Sequence, residues 1–102
     1  MIVVNKDNFE EEVINSKTPV LADFNAEWCG PCRMMSPILE EIENDRNTTK
    51  IVSINIDDEE ELAEKYGVSS IPCLVLFKDG KEINRSIGLK PKDEIEALIG
   101  EV

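Results

Sequence analysis

One apolar run constrains the fold of this chain more than any other feature of the sequence. Residues 20 to 26 read Val-Leu-Ala-Asp-Phe-Asn-Ala, and Asp23 is the single charged residue among them. A nearly continuous apolar run of this length is typical of a β-strand buried on both faces, and such strands occupy the middle of α/β sheets. The run therefore predicts a central strand with one carboxyl group inside it.

The patterns on either side predict the element order β-α-β-α-β-α-β-β-α. Further strands are expected at residues 2–4, 51–56, 73–78 and 82–87, and helices at about 7–16, from the Cys-Gly-Pro-Cys segment to about 45, at 57–66 and at 91–99. Asp7 followed by Glu10 resembles a capping box, and Asp79-Gly80 favours a tight hairpin. The early alternation indicates parallel crossovers, and the late hairpin adds an antiparallel edge. We expect one α/β domain over residues 1–102.

The charge balance and the lack of histidine exclude several classes of function. Asp and Glu number 22 against 11 Lys and Arg, so the net charge is −11, and there is no histidine. Nucleic acid and anionic membranes are therefore poor partners, and neither an imidazole base nor a histidine-ligated metal is available. We expect no metal and no cofactor. No signal peptide pattern and no apolar run of about 18 residues are visible, which favours a cytoplasmic protein. The acidic run at 57–61 is interpreted as a solvated helix face, with a docking patch as the alternative.

Chemistry is concentrated in the segment Cys29-Gly30-Pro31-Cys32, between the buried strand and the next helix. Residues at i and i+3 at a helix start lie on one face, which brings their two sulfurs within bonding reach. The helix N-terminus stabilises a thiolate at Cys29, whereas Cys32, one turn further on, should be more covered and less nucleophilic. A zinc site needs further soft ligands, of which Cys73 is the one available, and an inert Cys-x-x-Cys is the other alternative. Redox chemistry is the favoured interpretation.

Residues 23–34, Asp-Phe-Asn-Ala-Glu-Trp-Cys-Gly-Pro-Cys-Arg-Met, resemble the active-site segment of the thioredoxin family. Four further matches in the same order and spacing extend the resemblance over essentially the whole chain: Tyr66-Gly67-Val68, Ile71-Pro72, Phe77-Lys78-Asp79-Gly80 and Gly88. The resemblance implies a thioredoxin fold, a central five-stranded mixed sheet flanked by four helices. It also implies a monomeric reductant of client-protein disulfides that maintains cell redox homeostasis and is itself re-reduced by a thioredoxin reductase. Clients of such proteins include ribonucleotide reductase, peroxiredoxins and methionine sulfoxide reductase.

The resemblance also implies roles for individual residues. Cys29 attacks the client disulfide and Cys32 resolves the mixed disulfide, which leaves a Cys29–Cys32 disulfide. The Gly30-Pro31 pair between them is associated with reducing members. The Ile71–Pro72 peptide bond is expected to be cis, and the client surface to consist of Trp28, Gly67, Val68, Ile71, Pro72 and Gly88. Asp23 is expected to accept the proton of Cys32, and desolvation in an apolar strand should raise its pKa.

Four positions depart from the common pattern of the family. Asn25 stands where an aromatic residue is usual, Ser53 where a lysine often partners the buried aspartate, and Arg33 where lysine is usual. Cys73 replaces threonine after Pro72, either as a small core residue or as a regulatory thiol. Two alternative functions remain open. One is a binding subunit whose sulfurs matter little, and the other is a specialised disulfide oxidant or isomerase.

Overall fold

The computed structural model describes residues 1–46 and 48–100, and all five of its strands belong to one mixed sheet. Asn47 and the last two residues of the predicted domain, Glu101 and Val102, lie outside the described residues. The strands are β1 (Ile2–Val3), β2 (Val20–Asn25), β3 (Lys50–Asn55), β4 (Cys73–Lys78) and β5 (Lys81–Ile87). Their order in the sheet is β1-β3-β2-β4-β5. The first three are parallel, whereas β4 is antiparallel to β2 and β5 is antiparallel to β4.

In the described part of the chain, four helical segments flank the sheet, as predicted. They are a π-helix (Glu10–Ile14), α1 (Gly30–Asp45, which contains Pro37), α2 (Glu60–Lys65) and α3 (Lys92–Ile99). The first differs from the α-helix that the spacing suggested, because the Asn15 N–H donates to the Glu10 carbonyl five residues back, at 2.8 Å. None of the described helices has the length and apolar composition needed to cross a membrane.

The chain enters the first helical segment through a capping arrangement two residues earlier than predicted. Asn5 Oδ1 accepts hydrogen bonds from the backbone N–H groups of Asp7 at 2.8 Å and of Asn8 at 3.0 Å. In return, Asn8 Oδ1 accepts the Asn5 N–H at 2.7 Å. The predicted box at Asp7 and Glu10 was wrong because asparagine caps as well as aspartate, and Asn5 and Asn8 have the same spacing.

Strand β2 is buried on both faces, which confirms the prediction from its apolar run. Val20, Ala22 and Phe24 pack in a cluster with residues of the π-helix and α2. Leu21 points to the other face, into a cluster formed with α1 and α3. Because side chains alternate along a strand, Asp23 shares the face of Leu21 and lies beneath α1. Helix α1 thus packs over the one charged residue of the strand.

The hairpin between β4 and β5 turns at Asp79-Gly80, as predicted. Both residues have positive φ, 53° at Asp79 and 79° at Gly80, which is the conformation of the hairpin turns that follow the twist of the strands. A Cβ atom on Gly80 would lie 3.1 Å from the Ile14 carbonyl oxygen and 3.3 Å from Ile14 Cγ2. The turn therefore packs against the π-helix so closely that it leaves no room for a side chain.

We predict that Gly80→Ala destabilises the protein more than Gly67→Ala. Both glycines have positive φ, which costs about 1–2 kcal/mol with a side chain, but a Cβ on Gly67 would meet no atom within 4 Å. Gly80→Ala adds overpacking against Ile14, for a total of roughly 2–4 kcal/mol. Urea denaturation of the two variants measures both losses in the free energy of unfolding. Equal losses would show that the contact with Ile14 does not change the free energy of unfolding.

Candidate active site

The two cysteines of the Cys-Gly-Pro-Cys segment lie where β2 leads into α1. Cys29 is the N-cap of α1, with φ −87° and ψ 108°, and its Sγ accepts a hydrogen bond from the Cys32 N–H at 3.2 Å. Pro31 lies in the first turn of α1. A backbone N–H in this turn has no partner within the helix, so proline, which lacks that N–H, fits here without losing a hydrogen bond. The sulfur of Cys29 therefore lies at the helix end whose free N–H groups and dipole stabilise negative charge.

A disulfide joins Cys29 to Cys32, whose Cα atoms are 5.2 Å apart. The two residues form a small apolar cluster with Ala26, against which Ile56 and Ile71 also pack. Both cysteines are 5% exposed, so the greater burial predicted for Cys32 is not observed in the disulfide form. The two residues differ instead in their position relative to the helix. Cys29 is the N-cap of α1, and Cys32 lies within its first turn.

Trp28, which precedes the cysteines, is 66% exposed, yet its ring is held in place. Its indole Nε1–H donates to Asp57 Oδ2 at 2.8 Å. Asp57 itself follows β3, and its N–H donates to Asn55 Oδ1 at 2.8 Å. The interpretation of the acidic run as a solvated face missed this role. No local pattern indicated this role, because the contact requires that β2 and β3 are parallel neighbours, so that the segments after their carboxyl ends meet.

The Ile71–Pro72 peptide bond is cis. Ile71 packs against the cluster that contains the two cysteines, and the Pro72 carbonyl accepts the Gly88 N–H at 2.8 Å. The structure thus links three of the predicted client-binding residues to the cysteine site. Gly67 and Val68 lie in the loop after α2. Val68 packs against the core cluster that contains residues of the π-helix and α2.

Asp23 is 3% exposed and occupies the register position opposite Ser53. Burial raises the pKa of its carboxyl from 3.8 to about 7, although a hydrogen bond from Asn25 acts in the opposite direction. Asp23 Oδ1 accepts no hydrogen bond from the residues that the structure describes. Asp23 and Cys32 both line a cavity of about 250 Å³, which opens beside α1. Asp23 and Cys32 therefore border the same open cavity.

Glu27 and Arg33 are among the other residues that line this cavity. The Arg33 guanidinium folds back and donates to the Glu27 carbonyl at 2.6 Å, so it ties the start of α1 to the segment before Trp28. This bond uses one guanidinium nitrogen, Nη1. A lysine at this position would keep the charge but not the geometry of the planar guanidinium. The departure at Arg33 therefore has a structural consequence next to the cysteines.

Cys73 is 1% exposed and packs in the core cluster that contains Phe24 and Val75. This cluster lies on the face of the sheet opposite Asp23. Burial raises the pKa of the Cys73 thiol, with Arg85 acting in the opposite direction. A buried thiol with a raised pKa is a weak nucleophile. The regulatory role of Cys73 stays a prediction, and the structure gives this residue the surroundings of a small core side chain.

A redox-active cysteine pair at a helix N-terminus, beside a cis-proline and on a five-stranded mixed sheet, defines a thiol–disulfide oxidoreductase of thioredoxin fold. The thioredoxin family model matches residues 1–101. A thioredoxin of Chlamydia caviae is 50% identical over 99 residues, which covers 97% of this chain and 95% of the relative. A thioredoxin of Bacillus subtilis is 43% identical over 100 residues, covering 97% and 96%. The chain belongs to the thioredoxin family. Such oxidoreductases act on disulfide-containing client proteins and are restored by a reductase.

We predict that Asp23→Asn stabilises the oxidised protein, and that the gain grows with pH. Below pH 3.8 the carboxyl is neutral in both the folded and the unfolded chain, so the ionisation of Asp23 contributes nothing to the difference. Between pH 3.8 and about 7, the Asp23 carboxyl ionises in the unfolded chain but stays largely protonated in the folded protein. The free energy of unfolding of the wild type therefore falls over this range. The gain levels off above pH 7 and has an upper bound of about 4 kcal/mol.

Urea denaturation of the oxidised variants between pH 3 and 9 measures this gain. Asp58→Asn, which removes an exposed carboxylate, controls for the loss of one negative charge. A gain from Asp23→Asn that is the same at every pH would contradict the raised pKa.

Proposed function

We propose that Cys29 is the nucleophile and Cys32 the resolving cysteine in the reduction of client-protein disulfides. The observation that carries the assignment is the Cys32 N–H bonded to Cys29 Sγ at the N-terminus of α1. This bond and the helix dipole both favour the thiolate of Cys29. Cys32 lies within the helix, and its backbone N–H serves its partner rather than its own sulfur.

The reaction transfers two electrons from the dithiol to the client. The Cys29 thiolate attacks one client sulfur, a mixed disulfide forms, and the other client sulfur leaves as a thiolate that takes up a proton. Cys32 then loses its proton and attacks Cys29 Sγ, which breaks the mixed disulfide and releases the second client thiolate. The protein is left with the Cys29–Cys32 disulfide seen in the structure. A reductase then returns two electrons and restores the dithiol.

Asp23 is the proton acceptor for Cys32 in this scheme. The cavity that both residues line supports this assignment, since it provides a path for a proton. A general base works best when its pKa lies near the operating pH, and burial brings the pKa of Asp23 to about 7. The carboxyl is therefore suited to accept a proton near neutral pH and to return it to solvent afterwards.

Clients are proposed to bind over an apolar surface around Cys29. This surface comprises Trp28, Gly67, Val68, Ile71, Pro72 and Gly88. Trp28 is largely exposed and oriented by Asp57, which supports a role in contact with the client. Ile71 is half-buried against the cysteine cluster, so a client chain that crosses the cis-proline passes close to the disulfide.

The finer assignments follow from the family. We propose a thioredoxin reductase as the electron donor, and clients of the kinds that thioredoxins reduce, such as ribonucleotide reductase, peroxiredoxins and methionine sulfoxide reductase. We also propose that residues 1–102 form one domain, a monomer that acts in the cytoplasm without nucleic acid, membrane, metal or cofactor. The net charge of −11 supports the lack of affinity for polyanions.

Trapping with a disulfide client tests the assignment of the two cysteines. We expect Cys32→Ser to accumulate a covalent complex between Cys29 and insulin, because the resolving thiol is absent. Cys29→Ser should form no such complex, and both variants should lose insulin reduction. Non-reducing electrophoresis followed by mass spectrometry identifies the linked cysteine. A complex through Cys32 in Cys29→Ser, formed as fast as in Cys32→Ser, would reverse the two roles.

Alkylation of the reduced protein gives an independent test of reactivity. We expect brief iodoacetamide treatment near neutral pH to modify Cys29 first, because its sulfur is at the helix N-terminus. Cys73 should react at least about tenfold more slowly, since it is buried and its thiol pKa is raised. Peptide mass spectrometry over time gives the three rates. Rapid labelling of Cys73 would support the regulatory role for that residue.

A further inference from the structure

Two departures from the family pattern meet above the buried aspartate. Asn25 follows Asp23 by two residues in β2, so the two side chains lie on the same face of the sheet. Ser53 lies opposite Asp23 in β3. The Asn25 Nδ2 amide group donates to Ser53 Oγ at 2.8 Å, to the Asp23 carbonyl oxygen at 2.9 Å and to Asp23 Oδ2 at 3.3 Å. The three acceptors belong to Asp23 and Ser53, which lie directly opposite each other in adjacent strands.

We propose that Asn25, anchored by Ser53, is a positioning residue for Asp23. Its amide engages Oδ2 of the carboxyl. Oδ1 accepts no hydrogen bond from the described residues, and Asp23 lines the cavity shared with Cys32. The proposal rests on the role of Asp23 as proton acceptor and adds the residues that orient it. In this chain a neutral amide donor, held by the Ser53 hydroxyl as acceptor, thus occupies the place beside the carboxyl where a cation is common in the family.

The geometry restricts the amide to one orientation. An asparagine amide carries two hydrogens, and here they are shared among three acceptors. The Ser53 hydroxyl and the Asp23 carbonyl hold the amide at the shorter distances. The longer bond to Oδ2 is the one that changes with charge, because a hydrogen bond to an ionised oxygen shortens and strengthens. Asn25 therefore stabilises the carboxylate more than the neutral acid.

In the described part of the chain, the other charged and titratable groups near Asp23 donate no hydrogen bond to its carboxyl. Glu27, Arg33 and Cys32 line the cavity from the loop and α1, and Cys73 lies in β4 on the opposite face. The amino group of Met1 also lines the cavity and pairs with Glu43 at 3.1 Å. Among the residues that the structure describes, none of these groups forms a salt bridge with Asp23. The Asn25 amide is thus the side-chain donor that contacts the carboxyl in the described part of the chain.

The first test is Asn25→Leu, which keeps the size of the side chain and removes the amide. We expect the titration midpoint of Asp23 in the oxidised protein to rise by about one pH unit, which equals about 1.4 kcal/mol. Carbon-13 NMR of the labelled carboxyl measures this midpoint without interference from titrating active-site thiols. The release of client from the mixed disulfide at pH 7 should slow about fivefold, because fewer molecules carry the carboxylate. An unchanged midpoint would overturn the proposal.

The second test uses a matched pair at the anchor. Ser53→Thr keeps the hydroxyl, whereas Ser53→Val has the same shape without it. We expect Ser53→Val to shift the midpoint in the same direction as Asn25→Leu, by a smaller amount, and Ser53→Thr to behave as the wild type. This pair keeps the proposal testable if Asn25→Leu does not fold. Equal midpoints in Ser53→Thr and Ser53→Val would remove Ser53 from the arrangement.

Asp23→Asn separates the failure of this proposal from that of the proposed function. If Asp23→Asn leaves the pH profile of mixed-disulfide release unchanged, Asp23 is not the proton acceptor and both assignments fail. If Asp23→Asn flattens the profile and Asn25→Leu does not move it, only the positioning role fails. The proposal requires that Asn25→Leu moves the profile in the wild type and has no further effect on it in the Asp23→Asn background.

Discussion

Burial of β2 on both faces is the constraint on which the rest of the active site depends. The strand packs one set of alternate side chains against the π-helix and α2, and the other set beneath α1 and α3. Its carboxyl end leads directly into the N-terminus of α1, where Cys29 caps the helix. A single strand therefore delivers both a sulfur to the positive end of a helix dipole and a carboxyl, at Asp23, to the low-dielectric space behind it.

The same burial makes the site unfavourable for stability at neutral pH. A carboxyl 3% exposed and without a salt bridge in the described residues resists ionisation, and the folded state bears that free-energy cost. Buried ionisable groups are typical of functional sites, because burial shifts the pKa of such a group far from its value in solution. The Asn25 amide offsets part of this cost by hydrogen bonding, and it does so without placing a cation next to the reactive sulfurs.

Much of the fold could be predicted from local patterns. The doubly buried strand, the hairpin at Asp79-Gly80 and the helix that begins at the cysteines were all found where hydrophobic period and turn chemistry indicated them. One error was local in origin, and another arose from tertiary contacts. The capping box fell on Asp7 instead of Asn5 because both residue types cap helices. The equal exposure of Cys29 and Cys32 was missed because accessible surface depends on neighbours that are distant in sequence. These are Ile56, which follows β3, and Ile71 in the cis-proline loop.

The sequence by itself determined the elements, the reactive pair and the isolated carboxyl, since each depends on residues within a few positions of one another. Tertiary structure alone decided the strand order β1-β3-β2-β4-β5 and the antiparallel direction of β4. That order places Ser53 opposite Asp23 and brings Asp57 to Trp28, across 30 and 29 positions of sequence. Contacts at such separations follow from strand pairing and register. The alternation of side chains along each strand does not determine the pairing, because several pairings bury the same apolar faces. The polar arrangement around Asp23 therefore becomes visible only once β2 and β3 are aligned.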